Sequence, residues 1–276
     1  MAARTGDHPP LIVRALPLYV AAAGLLLMAP IVIVIVLAFG DQSVVKFPPD
    51  AYGLRWFKAF FGDSRWQKAL YSSLLVASLS CLIATALGFM AAYAMVRGRF
   101  GWKKLILSFV LVPMIVPHVI TAIAMYFVSA PLRMVGNPVW IALCHAVVSL
   151  PIVLLILLSA LQGVDVNLER AALSLGCSRL RMFTHVVIPL AWPGIVSAAL
   201  FAFLASFDEL VIALFLAGVR AETLPVRIWN SLHLQVEPII AAVSAFLIGV
   251  TALTLLLDAG IRRSRQLIRL RDRHAA

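Results

Sequence analysis

The chain has 276 residues, 63% of them hydrophobic and 13% charged, with a mean hydropathy of +1.01. Soluble domains carry about 25% charged residues, so this composition excludes an ordinary soluble domain and indicates an integral membrane protein. The net charge of +11 does not indicate a nucleic-acid partner, because the lysines and arginines fall between and beyond the apolar runs, where they fit membrane topology and lipid headgroups.

A bilayer core of about 30 Å needs about 20 apolar helical residues. Six runs qualify: 17–39, 69–96, 105–129, 139–161, 191–216 and 239–261. The predicted fold is therefore all-α, a polytopic membrane protein with six transmembrane helices. The short alternating segments of a membrane barrel are absent. The first run exceeds the core of a signal peptide, about 7–15 residues, and reads as a retained span. The expected organisation is an N-terminal tail over 1–16, a transmembrane domain over 17–261 and a basic tail over 262–276.

Orientation follows from the basic residues of the connecting segments. On one side lie Arg4 and Arg14, then Arg97, Arg99, Lys103 and Lys104, then Arg170, Arg179 and Arg181, and finally the arginines of the C-terminal tail. They outnumber Lys46, Arg55, Lys58, Arg65, Lys68, Arg133, Arg220 and Arg227 on the other. Both termini and the 165–190 segment are expected in the cytoplasm. The first external segment contains FPPDAYGLRWFKAFFGDSRW. Its aromatics, Trp56, Phe57, Phe60, Phe61 and Trp66, suit either an interfacial belt or a docking surface for an external partner.

Small residues recur every four positions at Ser80, Ala84, Gly88 and Ala92, at Ala198, Ala202 and Ser206, and at Ala241, Ala245 and Gly249. Such stripes let helix backbones approach closely in lipid, within one chain or between chains. Pro113, Pro117 and Pro151 fall inside spans, where each removes a backbone donor and permits a kink. Cys81, Cys144 and Cys177 are scattered and suggest neither a disulfide framework nor a metal site. There is no G-x-x-x-x-G-K-[ST], no H-E-x-x-H and no G-x-S-x-G, and the histidines lack ligand spacing. No catalytic residue, metal or cofactor is expected on this chain.

The polar segment LERAALSLGCSRLRMFTHVVIPL interrupts the apolar pattern. Asp165 suits a helix N-cap, and Leu168, Ala171, Ala172 and Leu175 follow the i, i+3, i+4, i+7 rule of an apolar stripe. Asp165 and Glu169 favour the positive end of the helix dipole, and Gly176 suits its end. Ser178 can cap a second short helix, which Ile188-Pro189 is expected to stop at the start of the fifth span. The helix suits either a lipid surface or a groove on a protein partner.

This segment resembles the EAA loop of permease subunits in binding-protein-dependent ABC importers. Ala171, Ala172, Gly176 and Ile188-Pro189-Leu190 match that pattern, and the loop precedes the second-last span, as in the family. The acidic position six before the glycine is Arg170 here, with Glu169 one place earlier, about 100° around a helix. A salt bridge from the family's acid to its ATPase is thus lost, reversed in sign or moved to Glu169. The stretches SFDELVIALFLAG, TLPVRIWNSL and FPPDAYGLRWF are similar to the spermidine/putrescine-type branch. The resemblance implies a type I importer permease fold and a second, homologous permease chain. It also implies two ATPase subunits gripping Asp165, Leu168, Glu169, Arg170, Ala171, Ala172, Leu175 and Gly176, with ATP bound there and not here. An external solute-binding protein and a bacterial inner membrane complete the expectation.

Asp208 and Glu209 stand inside the fifth run, where acids are expensive and face a cavity, a partner or water. They read either as a structural pair or as a transient site for a cationic solute such as a polyamine. Adjacent helical residues point about 100° apart, so only one, Asp208, is expected to line the path fully. Ser206, Trp229 and His118 are further pathway candidates, as a hydroxyl, a cation–π face and a polar group beside Pro117. The alternative function is an ion-coupled secondary transporter with Asp208 and Glu209 as a proton relay.

Overall fold

A computed structural model describes residues 11–234 and 237–275. Arg4 and the rest of 1–10 lie outside the described residues, as do Gln235, Val236 and Ala276. Among the described residues the regular structure is helical, apart from one isolated antiparallel bridge between Gly40 and Tyr52. Five helices are long and apolar enough to cross a membrane, or six if one bent pair counts as a single span.

One compact unit comprises residues up to 62 together with 231–249. Helix α1 (Leu11–Ala38) precedes an irregular segment that is closed by Asp41 N donating to Ala51 O at 3.0 Å and Gly53 N to Phe39 O at 2.7 Å. The Trp56 indole donates to Gln42 O at 3.1 Å, fixing the start of α2 (Arg55–Gly62). In α2, Phe60 is 1% exposed and tilts against Phe246 at 5.4 Å. Phe60 is therefore a packing residue, not part of a belt. Trp66, expected beside it, lies instead in the next helix, 3% exposed under the Arg227 guanidinium.

The second unit comprises 63–230 and the chain from 250. Its centre is three long helices: α3 (Ser64–Arg97), α6 (Pro138–Gln162) and α9 (Ile188–Phe207). In lipid there is little hydrophobic drive between helices, so close packing of small residues has to hold them. Ala84, Ala92, Ala198 and Ala202 are fully buried among Val153, Leu154, Leu157 and Leu161. A Cβ on Gly88 would stand 2.7 Å from Val153 Cγ1, and one on Gly194 would overlap Ala160 Cβ. The stripes of the second and fifth runs thus pack within the chain. In the last run Ala241 and Ala245 are half-buried and Gly249 is exposed, while Ala242 and Val243 are fully buried.

Two expected spans are broken. The run 105–129 forms α4 (Lys103–Ile115) and α5 (His118–Ser129), bent by 103° at Val116-Pro117. The proline ring disfavours the α region for the residue before it, and Val116 is extended, φ −75° and ψ 131°. At 1.5 Å per residue neither half crosses about 30 Å alone. Pro113 and Pro151, by contrast, sit inside unbroken helices. The run 191–216 ends as a helix at Phe207, and α10 (Val211–Leu216) resumes after Asp208, Glu209 and Leu210. Helix α10 packs on α5 and α6 through Ile212, Leu216, Ala122 and Ile141.

Ser73 Oγ accepts from Leu224 N at 2.7 Å, tying the start of α11 (Leu224–Leu234) to α3. Helix α12 (Ile239–Ala275) runs past 261 into the basic segment. Asp258 of α12 accepts a short hydrogen bond from Ser197 of α9, a buried polar link within the bundle.

Candidate functional sites: the 165–176 loop and an acid-lined cavity

Helix α7 (Val166–Ser174) starts as its sequence indicates, with Asp165 Oδ1 accepting from Asn167 N at 2.8 Å. It ends at Gly176, whose φ is +84°. Cys177 N donates to Ala172 O at 3.1 Å and Gly176 N to Leu173 O at 3.0 Å. This paired 6→1 and 5→2 pattern is a Schellman motif, which needs a left-handed residue at the glycine. Ser178 then caps α8 (Arg179–Met182) by accepting from Arg181 N at 3.3 Å.

The expected stop at Ile188-Pro189 does not occur. A π-helical turn, Phe183–Val187, carries α8 directly into α9, with Ile188 N donating to Phe183 O. The widened turn accommodates the proline ring and its missing donor without ending the helix. Met182 and Val187 are buried, and the Phe183 ring meets Phe89 at 5.7 Å and Tyr93 at 5.0 Å. The second half of the segment is thereby anchored to α3.

Glu169 and Arg170 face different surroundings. The Glu169 side chain is 7% exposed. Its Oε1 accepts from Arg97 Nε at 2.7 Å and lies 2.7 Å from Arg97 Nη2 in an ion pair, and Tyr93 O–H reaches Oε2 at 3.5 Å. Arg97 Nη2 also donates to Val164 O at 2.7 Å. Glu169 is thus an internal group that binds the loop to the end of α3. Arg170, Leu168 and Ala171 are exposed, Ala172 is half-buried, and Leu175 is 88% exposed. In the sequence Arg97 is one basic residue among several in a loop. A basic residue at a helix end cannot be assigned to an acid 72 positions away without the fold.

The second unit also contains a cavity of about 560 Å³. The break after Pro117 brings Met114 and His118 to it, α6 contributes His145, Val148, Ser149 and Ile152, and α9 contributes Phe201, Leu204 and Ala205. Asp208 and Glu209 both line it, Asp208 exposed and Glu209 half-buried. Because α9 ends at Phe207, the 100° rule no longer separates their side chains.

The two acids differ in their partners. Glu209 Oε1 accepts from Ile212 N at 3.1 Å, capping α10, and its Oε2 lies 3.4 Å from His118 Nδ1. The Asp208 carboxylate has no hydrogen-bond or ion-pair partner among the described residues, and the residue is exposed and lines the cavity. Ser206 is buried behind the wall, bonded to His145 Nδ1 at 2.9 Å, and does not line the cavity. Trp229 stands on α11, 40% exposed, and is not among the lining residues. His145, a lone histidine in an apolar run, has no spacing to identify it; its position inside a span is the signal the sequence offers. Among the described residues no cluster of His, Cys, Asp or Glu could hold a metal ion.

Residues 84–266 match the family described as binding-protein-dependent transport system inner membrane component. The chain is 30% identical over 232 residues to the putrescine transport system permease protein PotI of Escherichia coli strain K12, covering 81% of this chain and 82% of that protein. It is 29% identical over 228 residues to the spermidine/putrescine transport system permease protein PotC of Haemophilus influenzae, covering 79% and 88%. In fold it is similar to a chain of a bacterial ABC transporter that imports the acidic polysaccharide alginate, with a TM-score of 0.70, 13% identity and coverage of 94% and 99%. The family match over most of the chain and the likeness to PotI mean that the chain belongs to the inner-membrane permease family of binding-protein-dependent ABC importers.

Proposed function

We propose that this chain forms one half of the translocation path for a small cationic solute of the polyamine class. A second, related permease chain, two ATPase subunits and an external solute-binding protein complete the importer. The observation that carries the solute class is the Asp208 carboxylate, unpartnered among the described residues at a helix break and open to a cavity with mostly apolar walls. An ammonium group there gains Coulomb attraction strengthened by low-dielectric surroundings, while methylene groups lie along Val148, Ile152 and Phe201. The names of the relatives, permeases for putrescine and spermidine, support the same class.

The exposed surface of α7 supports docking on an ATPase. Leu168, Ala171 and Leu175 offer an apolar face, and Arg170 a charge of the opposite sign to the family's acid. The chain performs no bond chemistry, and ATP binds the partner subunits. Closure of the ATPases pushes the loop, and the Arg97–Glu169 contact carries the displacement into α3. Both termini and the loop face the cytoplasm of a bacterial inner membrane, a reading supported by the distribution of basic residues.

The test is ATP-driven uptake of labelled putrescine by the reconstituted importer carrying Asp208→Asn. Uptake should fall at least tenfold, about the loss of one charge-assisted contact, while the subunits still copurify. Wild-type uptake, or failure of assembly before transport, overturns the pathway role. The alternative, an ion-coupled secondary transporter, gains no support from the family; it would require uptake by this chain alone on an ion gradient.

A further inference from the structure

The two carboxylates of the cavity are in different states. Glu209 is engaged at both oxygens: Oε1 accepts from Ile212 N at 3.1 Å, and Oε2 lies 3.4 Å from His118 Nδ1. A ring nitrogen that faces a carboxylate carries its proton there, so Nδ1 presents an N–H whether the imidazole is neutral or charged. The other ionisable residues of the lining are Asp208, whose carboxylate has no partner among the described residues, and His145, which is buried and bonded to Ser206.

The broken spans create this pair. His118 is the first residue of α5, just past the bend at Pro117, and Glu209 stands shortly before α10, which packs on α5. The Glu209 side chain is 10% exposed and the His118 side chain 50%. The carboxylate is thus the fixed member, and the imidazole is the one with room to leave. Asp208 and Glu209 are consecutive, with Cα atoms about 3.8 Å apart, so their charges repel each other in the empty cavity. His118 offsets that repulsion.

We propose that His118 is a specificity-determining residue of the path: it covers Glu209 in the empty cavity and has to be displaced before a second ammonium group of the solute reaches that carboxylate. This rests on the reading of the cavity as the solute path. A solute with one ammonium group is held at Asp208 and leaves the His118–Glu209 pair intact. A solute with two gains another charge-assisted contact only by breaking that pair, and the broken pair offsets part of the new attraction. The path thereby accepts a dication without holding it too firmly to release, as conduction requires. His118 sets the preference between singly and doubly charged amines by controlling access to Glu209.

The experiment is equilibrium binding of labelled putrescine and of 1-aminobutane, which has the same carbon chain with one nitrogen, to the assembled permease–ATPase complex without the binding protein. His118→Ala uncovers Glu209. It should strengthen putrescine binding about tenfold, the size of one hydrogen bond to a charged group. It should change 1-aminobutane binding far less, because one ammonium fills one seat, so the preference for the diamine rises. His118→Lys, whose ammonium holds Glu209 more firmly, should lower that preference. In a Glu209→Gln background, where the amide oxygen still caps α10 without a charge, His118→Ala should leave the preference unchanged. Asp208→Asn should weaken both amines.

A preference that His118→Ala leaves unchanged or lowers overturns the proposal. The same rise in the Glu209→Gln background also overturns it, since His118 would then act through something other than Glu209. If His118→Ala does not assemble, His118→Lys carries the test, and an unchanged or raised preference there refutes the assignment. An Asp208→Asn complex that binds both amines normally refutes the cavity reading itself, a result distinct from the failure of His118 alone.

Discussion

Replacing Arg97 with alanine removes two short hydrogen bonds at once, one to Glu169 and one to the Val164 carbonyl, each 2.7 Å long, together with the ion pair to Glu169. The side chains of the pair are 18% and 7% exposed, so solvent screens them little. Removing one partner of a buried pair costs about 3–5 kcal/mol, because the other charge is left without compensation. Here the cost falls on the attachment of α7 to α3, and it shifts the balance between attached and detached loop by a factor of roughly 10² to 4 × 10³. Glu169→Gln should be milder, about 1–3 kcal/mol, since an amide oxygen still accepts from Arg97 and the guanidinium, though it loses its counter-charge, is less buried and keeps its bond to Val164 O. The reciprocal exchange, Arg97→Glu with Glu169→Arg, should recover only part of the loss, because glutamate cannot donate to Val164. Two measurements check this: hydrogen exchange at the α7 amides, and the number of ATP molecules hydrolysed per solute imported. Faster exchange and a raised ratio in Arg97→Ala, partly corrected in the exchanged pair, are expected. Wild-type exchange and coupling in Arg97→Ala would refute the idea that this contact transmits force.

Gly176→Val should uncouple hydrolysis from uptake, since a β-branched residue at φ +84° strains the turn by about 1–3 kcal/mol; normal coupling ratios would count against the turn as a rigid element. Gly194→Ala should destabilise the bundle by about 1–3 kcal/mol, because its new Cβ overlaps Ala160 Cβ and neither methyl can rotate away. Thermal unfolding in detergent reads that change, and the combined Gly194→Ala, Ala160→Gly variant should recover much of it.

Much of this architecture was legible before any tertiary structure. Apolar runs of sufficient length located the long helices, since lipid offers no partner for backbone groups and the signal is strong. The cap at Asp165, the glycine turn at Gly176 and the cap at Ser178 also read correctly, because capping depends on contacts within a few residues. Local rules failed where competing local effects had to be weighed. Two prolines of the third run sit four residues apart, and only Pro117 breaks it, whereas Pro189 is absorbed by a π-helical turn. The fifth run breaks at Asp208 with neither proline nor glycine there, the Glu209 side chain capping the helix that follows.

By itself, then, the sequence determined an all-helical membrane protein, its polar loop and the residue types available for a cationic solute. Those properties follow from composition and from contacts between near neighbours. Only the tertiary structure decided which charges are used up and which stay free. Glu169 is taken by Arg97 and Glu209 by an amide and His118, while Arg170 is exposed and Asp208 and the His145 Nε2 remain without partners among the described residues. Whether a charge is available is a property of distant packing, which no local pattern encodes.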